Sequence, residues 1–209
     1  MTQHVADRGT AAGIDLVEPH PGYHASWLAA AAEFAAAGDY QHGSGLAPDG
    51  EEPRPGARAW RPAELPDPAA FSAFVAELCS LTDPAFAARL GRVPDTKLWI
   101  VAAGPEPGRG EFLGSVSLRH ELNDFLLERG GHIGYSVRPA ARRRGIATAA
   151  LRLTLQRARS LGLDRVLVTC EAGNVASART IEGCDGALED VREGMRRYWI
   201  ELPAPGSAG

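Results

Sequence analysis

The stretch His132–Leu161, HIGYSVRPAARRRGIATAALRLTLQRARSL, decides the fold of this chain. Its first part, His132–Val137, is a short run with β-branched and aromatic residues, which predicts a strand. Arg138–Arg144 follows as a proline-bearing turn dense in positive charge. From Gly145 onwards, apolar residues recur every three or four positions, as they do on one face of a helix. The stretch therefore predicts a strand, a basic turn and a helix that begins at Gly145.

The start of this predicted helix has the properties of a phosphate-binding site. The first N–H groups of a helix have no intrahelical partner, and the aligned peptide dipoles make this end positive. Gly145 lets an anion approach the backbone closely, and Arg142–Arg144 add positive charge. The spacing lacks the three glycines of a dinucleotide-binding loop and the Gly-Lys-Ser/Thr of a P-loop. A solvated basic turn before a surface helix is the alternative interpretation.

The composition indicates a globular protein in which this basic turn is a local feature. The chain has 209 residues, of which 44% are hydrophobic, and a formal net charge of -4. An acidic balance argues against a general nucleic-acid-binding protein. The three cysteines form no CxxC or Cys/His zinc pattern, so we expect reduced thiols and no metal site. The N-terminus lacks an apolar signal core and no apolar run could span a bilayer, so we expect a cytoplasmic protein without a membrane partner.

The rest of the chain predicts one strand, then helices, and then strands with a further helix among them. We predict strands at Ile14–Val17, Leu98–Ala103, Phe112–Arg119, Arg165–Cys170, Leu188–Arg192 and Met195–Ile200, and helices at Tyr23–Ala36, after Asp67, at Asp83–Leu90 and at Asn174–Glu182. The Gly- and Pro-rich segment Gly38–Glu64 predicts a long loop that either borders a substrate site or is a plain excursion. Two parallel strands flanking the central helix require a right-handed crossover. The order predicts one α/β domain with a mixed, mostly antiparallel sheet.

These segments resemble the GCN5-related N-acetyltransferases (the GNAT superfamily). Arg142-x-x-Gly145-x-Ala147 is similar to the Gln/Arg-x-x-Gly-x-Gly/Ala motif with which that family cradles the pyrophosphate of acetyl-coenzyme A. GHIGYSV, RPAARRRGIA, VLVTC and EAGNVASARTIEGCDGA match further parts of the family pattern, most closely a subgroup of predicted bacterial acetyltransferases. The resemblance covers most of Leu98–Ile200. It implies a single domain, 1–209, with N-terminal helices and the loop in 1–95, an acetyl-CoA-binding core in 96–202 and a loose tail in 203–209.

The resemblance also implies a site for acetyl-CoA as co-substrate. The pantetheine arm would pair with the backbone of the central strand, which requires that strand to part from its parallel neighbour between Val137 and Thr169. The diphosphate would lie on the backbone of 143–148. The expected coenzyme-binding residues are Tyr135, Ser136, Val137, Arg142, Arg143, Arg144, Gly145, Ile146, Ala147, Thr148 and Asn174. The side chain of Tyr135 also fits ordinary core packing, and Asn174 also fits a helix cap.

The resemblance implies that an amine attacks the thioester directly in a ternary complex. The family's usual acid, a tyrosine, corresponds here to Ile181, and a glutamate often seen one strand back corresponds to Thr169, so neither role can be transferred. The remaining candidates for proton transfer are His132, His120, Glu121 and Glu171. Each of them also fits a structural or solvated position.

We therefore expect an acetyl-CoA-dependent N-acetyltransferase that acts on a primary amine of a small molecule or a peptide. The acidic net charge favours a cationic acceptor such as a polyamine, an aminoglycoside or lysine. One alternative is an acyl-CoA-binding module with weak or no catalysis. Another is a protein that binds nucleic acid or another anion through Arg142–Arg144. The sequence leaves open the acceptor, the acyl chain and the choice between monomer and homodimer.

Overall fold

The computed structural model describes residues 7–9, 13–47, 59–104 and 108–202. The predictions that fall on 1–6, 10–12, 48–58, 105–107 and 203–209 lie outside the described residues. They include most of the N-terminal decapeptide, the middle of the Gly- and Pro-rich loop and the loose tail.

In the described part of the chain, eight strands form one sheet. The strands are β1 (Asp7–Gly9), β2 (Ile14–Val17), β3 (Asp95–Ala102), β4 (Phe112–Arg119), β5 (Ile133–Val137), β6 (Arg165–Glu171), β7 (Ala187–Arg192) and β8 (Met195–Glu201). Their order in the sheet is β1-β2-β3-β4-β5-β6-β8-β7. Strands β5 and β6 pair in parallel, and the other pairs given for the described strands are antiparallel. This confirms the predicted mixed, mostly antiparallel sheet.

Helices cover both faces of the sheet. They are α1 (His24–Ala37), α2 (Pro68–Ser80), α3 (Pro84–Arg89), α4 (Ile146–Ser160) and α5 (Val175–Glu182). One core lies between the sheet and the apolar sides of α4 and α5, and the second lies between the sheet and α1, α2 and α3, where Trp27, Phe74 and Trp99 are buried. Asp67 caps α2, as we expected from the sequence, and Asp83, which we placed inside the next helix, instead caps α3. None of the described helices is long and apolar enough to cross a membrane.

Three features of the fold were not predicted. Strand β1 pairs with β2, so the N-terminal part contributes two strands to the same sheet. Strand β3 begins at Asp95 and not at Leu98, because the side chains of Asp95 and Lys97 are buried and satisfied by each other. A π-helical turn, Leu126–Gly130, lies in the segment that was predicted only as a link before β5. The other predicted strands and helices agree with the structure to within a few residues at each end.

Candidate functional site

The parallel strands β5 and β6 are joined at one end and part at the other. In the described part of the chain, Ile133↔Val168 is the one register pair between them. The His132 N–H donates to the Leu167 carbonyl, 2.7 Å away, just before this pair. On its other side β5 is paired with β4 from Ile133 to Val137. The backbone of β5 beyond Ile133 therefore faces a gap on the β6 side, as strand addition requires.

The turn after β5 has the backbone conformation of an anion-binding loop. Arg143 and Gly145 both have left-handed backbone conformations, with φ of 60° and 75°. Gly145 precedes α4 without a side-chain cap, whereas Asp67, Asp83 and Asn174 cap α2, α3 and α5. Nothing lies within 4 Å of the position that a Cβ at Gly145 would take. Left-handed residues before an uncapped helix form a concave arrangement of N–H groups that suits an anion.

A cleft of about 1220 Å³ connects the turn, the gap and one face of the sheet. This volume exceeds the 300–1,000 Å³ or so of a typical small-ligand pocket, so the cleft has room for a long coenzyme arm and an acceptor. Ten of the eleven predicted coenzyme-binding residues line it, and Arg144 does not. Ser136 also offers a buried Oγ that has no hydrogen-bond partner among the described residues.

Two arginines of the turn are held by acidic side chains. Arg142 donates from Nε to the Val137 carbonyl at 3.0 Å and from Nη1 to Asp39 at 2.6 Å. The buried Arg138 is paired with Glu33 of α1 and, at 2.9 Å, with Glu111. The Ala140 N–H also donates to Glu33, at 3.1 Å. These contacts fix the turn against α1, so Arg142 positions the backbone as well as adding charge.

The wall of the cleft formed by β5 and α5 carries a pair of hydroxyl groups. Tyr135 Oη and Ser177 Oγ are 2.9 Å apart, and both residues line the cleft. Burial raises the pKa of Tyr135 to about 12, so its hydroxyl is protonated at neutral pH. The Ser177 N–H donates to Asn174 Oδ1 at 3.0 Å, so Asn174 caps α5 and also lines the cleft. Ile181 is completely buried in the core and is not among the lining residues.

Only one of the four candidates for proton transfer, Glu171, lines the cleft. His132 Nδ1 accepts the Leu167 N–H at 2.9 Å, and burial, followed by the charge of Arg119, lowers the pKa of His132 to about 4. His120 shares a 2.8 Å hydrogen bond with Thr96, and burial lowers its pKa. Glu121 is exposed outside the cleft. The positions of His132, His120 and Glu121 therefore favour the structural or solvated alternatives.

A histidine that the sequence analysis did not select, His42, also lines the cleft. It lies in the described part of the Gly- and Pro-rich loop, which borders the cleft from Gly38 to Ala47. Burial lowers the pKa of His42, and the negative charges of Glu171 and Asp39 partly oppose this effect. His42 can therefore accept a proton at neutral pH. A lone histidine in an unpatterned loop gives no signal in the sequence.

The cysteines of the cleft region do not have the environment of a nucleophile. Cys170 lines the cleft, but burial raises the pKa of its thiol, so the thiol form predominates at neutral pH. Cys184 is buried with a raised pKa for the same reason. Within the described ranges, no group of three or more His, Cys, Asp and Glu side chains is placed to hold a metal ion.

A comparison with protein families found a match. The family model of the acetyltransferase (GNAT) domain matches residues 57–186, which is more than half of the chain. The chain belongs to this family. The resemblance found in the sequence is confirmed, and the GNAT chain is an acetyl-CoA-dependent N-acetyltransferase with acetyl-CoA as its co-substrate.

Solved structures of acetyltransferases have the same fold as this GNAT chain. The ribosomal-protein-S5-alanine acetyltransferase from Vibrio fischeri is 12% identical, with a TM-score of 0.61 over 95% of this chain and 97% of that chain. RimJ of Mycobacterium smegmatis, in complex with CoA-disulfide, is 18% identical, with a TM-score of 0.59 over 90% and 81%. The microcin C7 self-immunity acetyltransferase MccE, in complex with acetyl-CoA and AMP, is 16% identical, with a TM-score of 0.56 over 92% and 97%. No curated protein matches the sequence.

Proposed function

We propose that this protein moves the acetyl group of acetyl-CoA to a primary amine of a small molecule or a peptide, by direct attack in a ternary complex. One observation carries the proposal. The gap between β5 and β6 opens beside the uncapped start of α4, and both lie in one cleft with room for two ligands. This arrangement fits a coenzyme whose diphosphate contacts the N–H groups of 143–148 and whose pantetheine arm lies along Tyr135–Val137.

In the proposed reaction the lone pair of the amine attacks the thioester carbonyl carbon. The C–N bond forms, the C–S bond breaks, and the electron pair of that bond leaves on the CoA thiolate. The backbone N–H groups on the free edge of β5 can stabilise the negative oxygen that develops. The amine nitrogen loses one proton and the thiolate gains one, so the site needs a base and an acid.

Two groups of the cleft suit these roles. The support for the hydroxyl pair Tyr135–Ser177 as the acid is its place on the wall of the gap, with Tyr135 protonated at neutral pH. The support for His42 as the base is its lowered pKa, which leaves it unprotonated at neutral pH, and the charge of Glu171, which also lines the cleft and stabilises the protonated imidazole. With this assignment, catalysis does not require the tyrosine that Ile181 replaces.

Three measurements test the proposal. Titration calorimetry should detect binding of both CoA and acetyl-CoA, and release of the CoA thiol should depend on an added amine. His42→Gln should lower kcat/KM by about 10²-fold, the usual contribution of a general base, whereas His120→Gln, outside the cleft, serves as the matched control. A folded protein that binds neither form of the coenzyme would refute the proposal. Binding without turnover of any amine would favour the catalytically inactive alternative.

A further inference from the structure

Three cations share one carboxylate at the end of the cleft away from the basic turn. Asp95, Arg92, Lys97 and Arg119 all line the cleft, and we call the three basic residues the cation cluster. Lys97 Nζ lies 2.8 Å from Asp95 Oδ2, and Arg92 Nη2 lies 3.9 Å from the same oxygen. Arg119 Nη1 donates to the carbonyls of Gly130 and Gly131, both at 2.9 Å.

The charges of the cation cluster are not balanced by the acidic side chains that the structure describes. Arg129 is paired with Glu193 at 3.6 Å and Arg142 with Asp39 at 2.6 Å, so these charges cancel elsewhere in the cleft. Asp95 alone faces the three cations, which leaves an excess of about two positive charges there. The pKa of Lys97 is lowered to about 8, chiefly by burial and also by the positive charges of Arg92 and Arg119. The negative charge of Asp95 opposes this lowering.

The cation cluster adjoins the place where β5 and β6 begin to part. Lys97, Ser117 and Gly134 lie opposite one another across β3, β4 and β5. Arg119 Nη2 is 3.8 Å from the position that a Cβ at Gly134 would take. Because a strand rises about 3.3 Å per residue, Gly134 is about 10 Å from Val137, the last residue of β5 before the basic turn. The coenzyme diphosphate and an anion at the cation cluster would therefore occupy different ends of the cleft.

We propose that the cation cluster binds a carboxylate or phosphate group that the acceptor itself carries, so the acceptor is a small anionic amine such as an amino acid or an aminoalkyl phosphate. The inference rests on the proposed acetyl transfer to an amine. An excess of partly buried positive charge is costly, and an acceptor that supplies the missing negative charge is favoured over a neutral or cationic one. The local charge thus opposes the cationic acceptor that the net charge of the chain favours.

Matched acceptor pairs test the inference through turnover. We would compare phenylalanine with phenylalaninamide, and phosphoethanolamine with ethanolamine, at constant ionic strength, with spermidine as the cationic reference. The anionic member of at least one pair should have a kcat/KM about ten-fold or more above its partner. The pair that responds distinguishes a carboxylate from a phosphate. In Arg92→Gln this preference should fall through a higher KM, whereas Arg159→Gln, exposed on α4 outside the cleft, should retain it. Neutral or cationic amines that react as well as anionic ones would overturn the inference.

A second readout does not depend on activity. With the coenzyme site saturated by CoA, inorganic phosphate should raise the Tm of the native chain and of Arg159→Gln more than that of Arg92→Gln, because a ligand of the folded state stabilises it. If all three proteins respond equally, the anion site is refuted even when amines are acetylated. If the specific response appears but no amine is acetylated, the anion site stands and the proposed acetyl transfer fails.

Discussion

Protonation of His132 should loosen the joint between β5 and β6 and destabilise the protein in mild acid. The His132 N–H donates to the Leu167 carbonyl at 2.7 Å, and its Nδ1 accepts the Leu167 N–H at 2.9 Å. Its carbonyl accepts the Arg119 N–H at 2.8 Å. His132 thus joins β4, β5 and β6 at the point from which the gap opens. A proton on Nδ1 would remove the acceptor and add a buried charge close to Arg119.

The size of this destabilisation follows from the pKa of His132 in the folded state and in the unfolded state. Burial and Arg119 lower the pKa of His132 to about 4, whereas an unfolded histidine titrates near 6.5. Between these values the unfolded state binds more protons than the folded state, so the free energy of unfolding falls as the pH falls from 6.5 to about 4. At 1.36 kcal/mol for each pKa unit, the interval corresponds to a loss of about 3 kcal/mol. Above pH 6.5 this contribution is fully present.

Urea unfolding at a series of pH values between 4 and 8 would measure this loss. The comparison protein is His132→Asn, which keeps a neutral oxygen acceptor near the position of Nδ1 and does not titrate. The unfolding free energy of the native chain should decline more steeply below pH 6.5 than that of the variant, by about 3 kcal/mol in all. Parallel curves would refute the structural role. If His132 were instead a proton acceptor in catalysis, His132→Asn would lose activity at pH 7 and the pH dependence of its stability would not change.

Three other predictions concern the cleft. If the Tyr135 hydroxyl protonates the leaving thiolate, Tyr135→Phe should lower kcat by about 10²-fold, with little change in the KM for acetyl-CoA. Stopped-flow measurement of thiol release checks this prediction, and an unchanged kcat would contradict it. Gly145→Ala should lower the free energy of unfolding in urea by about 1–2 kcal/mol because φ is 75°, and it should raise the KM for acetyl-CoA. Gly173→Ala, which has open space and no positive φ, is the control and should change neither quantity. Ile181→Tyr should destabilise the core by about 1–3 kcal/mol and leave kcat no higher, because Ile181 is fully buried; a gain in kcat would contradict this.

The coenzyme end of the cleft could be predicted because it is local in sequence. The strand, turn and helix start lie within residues 133–148, and each has a signal of its own: β-branched and aromatic residues in a short run, a proline with arginines, and a glycine before a helical pattern. We selected Gly145 because a glycine lets an anion approach the backbone closely, and the structure adds that its φ is 75°, a left-handed conformation that also favours glycine. The sequence could not show that the Arg142 guanidinium contacts Asp39 or that Arg144 lies outside the cleft, because both facts depend on the packing of α1.

The end of the cleft that we assign to the acceptor could not be predicted, for the opposite reason. This end depends on the β3–β4 register, which brings together Asp95, Lys97 and Arg119 from two strands. In addition, buried polar residues in a strand give no hydrophobic pattern that the sequence could show. The same absence of pattern made β3 start too late in the sequence prediction. His42 lies in a loop without periodicity, and the Tyr135–Ser177 contact joins residues 42 positions apart. Long-range register and loop packing are what a single sequence does not reveal.

The two ends of the cleft are therefore separable in physical terms. In the site that we propose, the coenzyme would contact backbone groups, whose geometry depends on a glycine and a helix start and tolerates many side chains around them. The acceptor would meet side-chain charge, so we expect one substitution at Arg92 or Lys97 to alter what this end attracts and to leave the β5–α4 turn untouched. A family motif at the first end consequently predicts acetyl-CoA and is silent on the amine. The acceptor must be inferred from the charge balance around Asp95, where three cations meet a single carboxylate among the described residues.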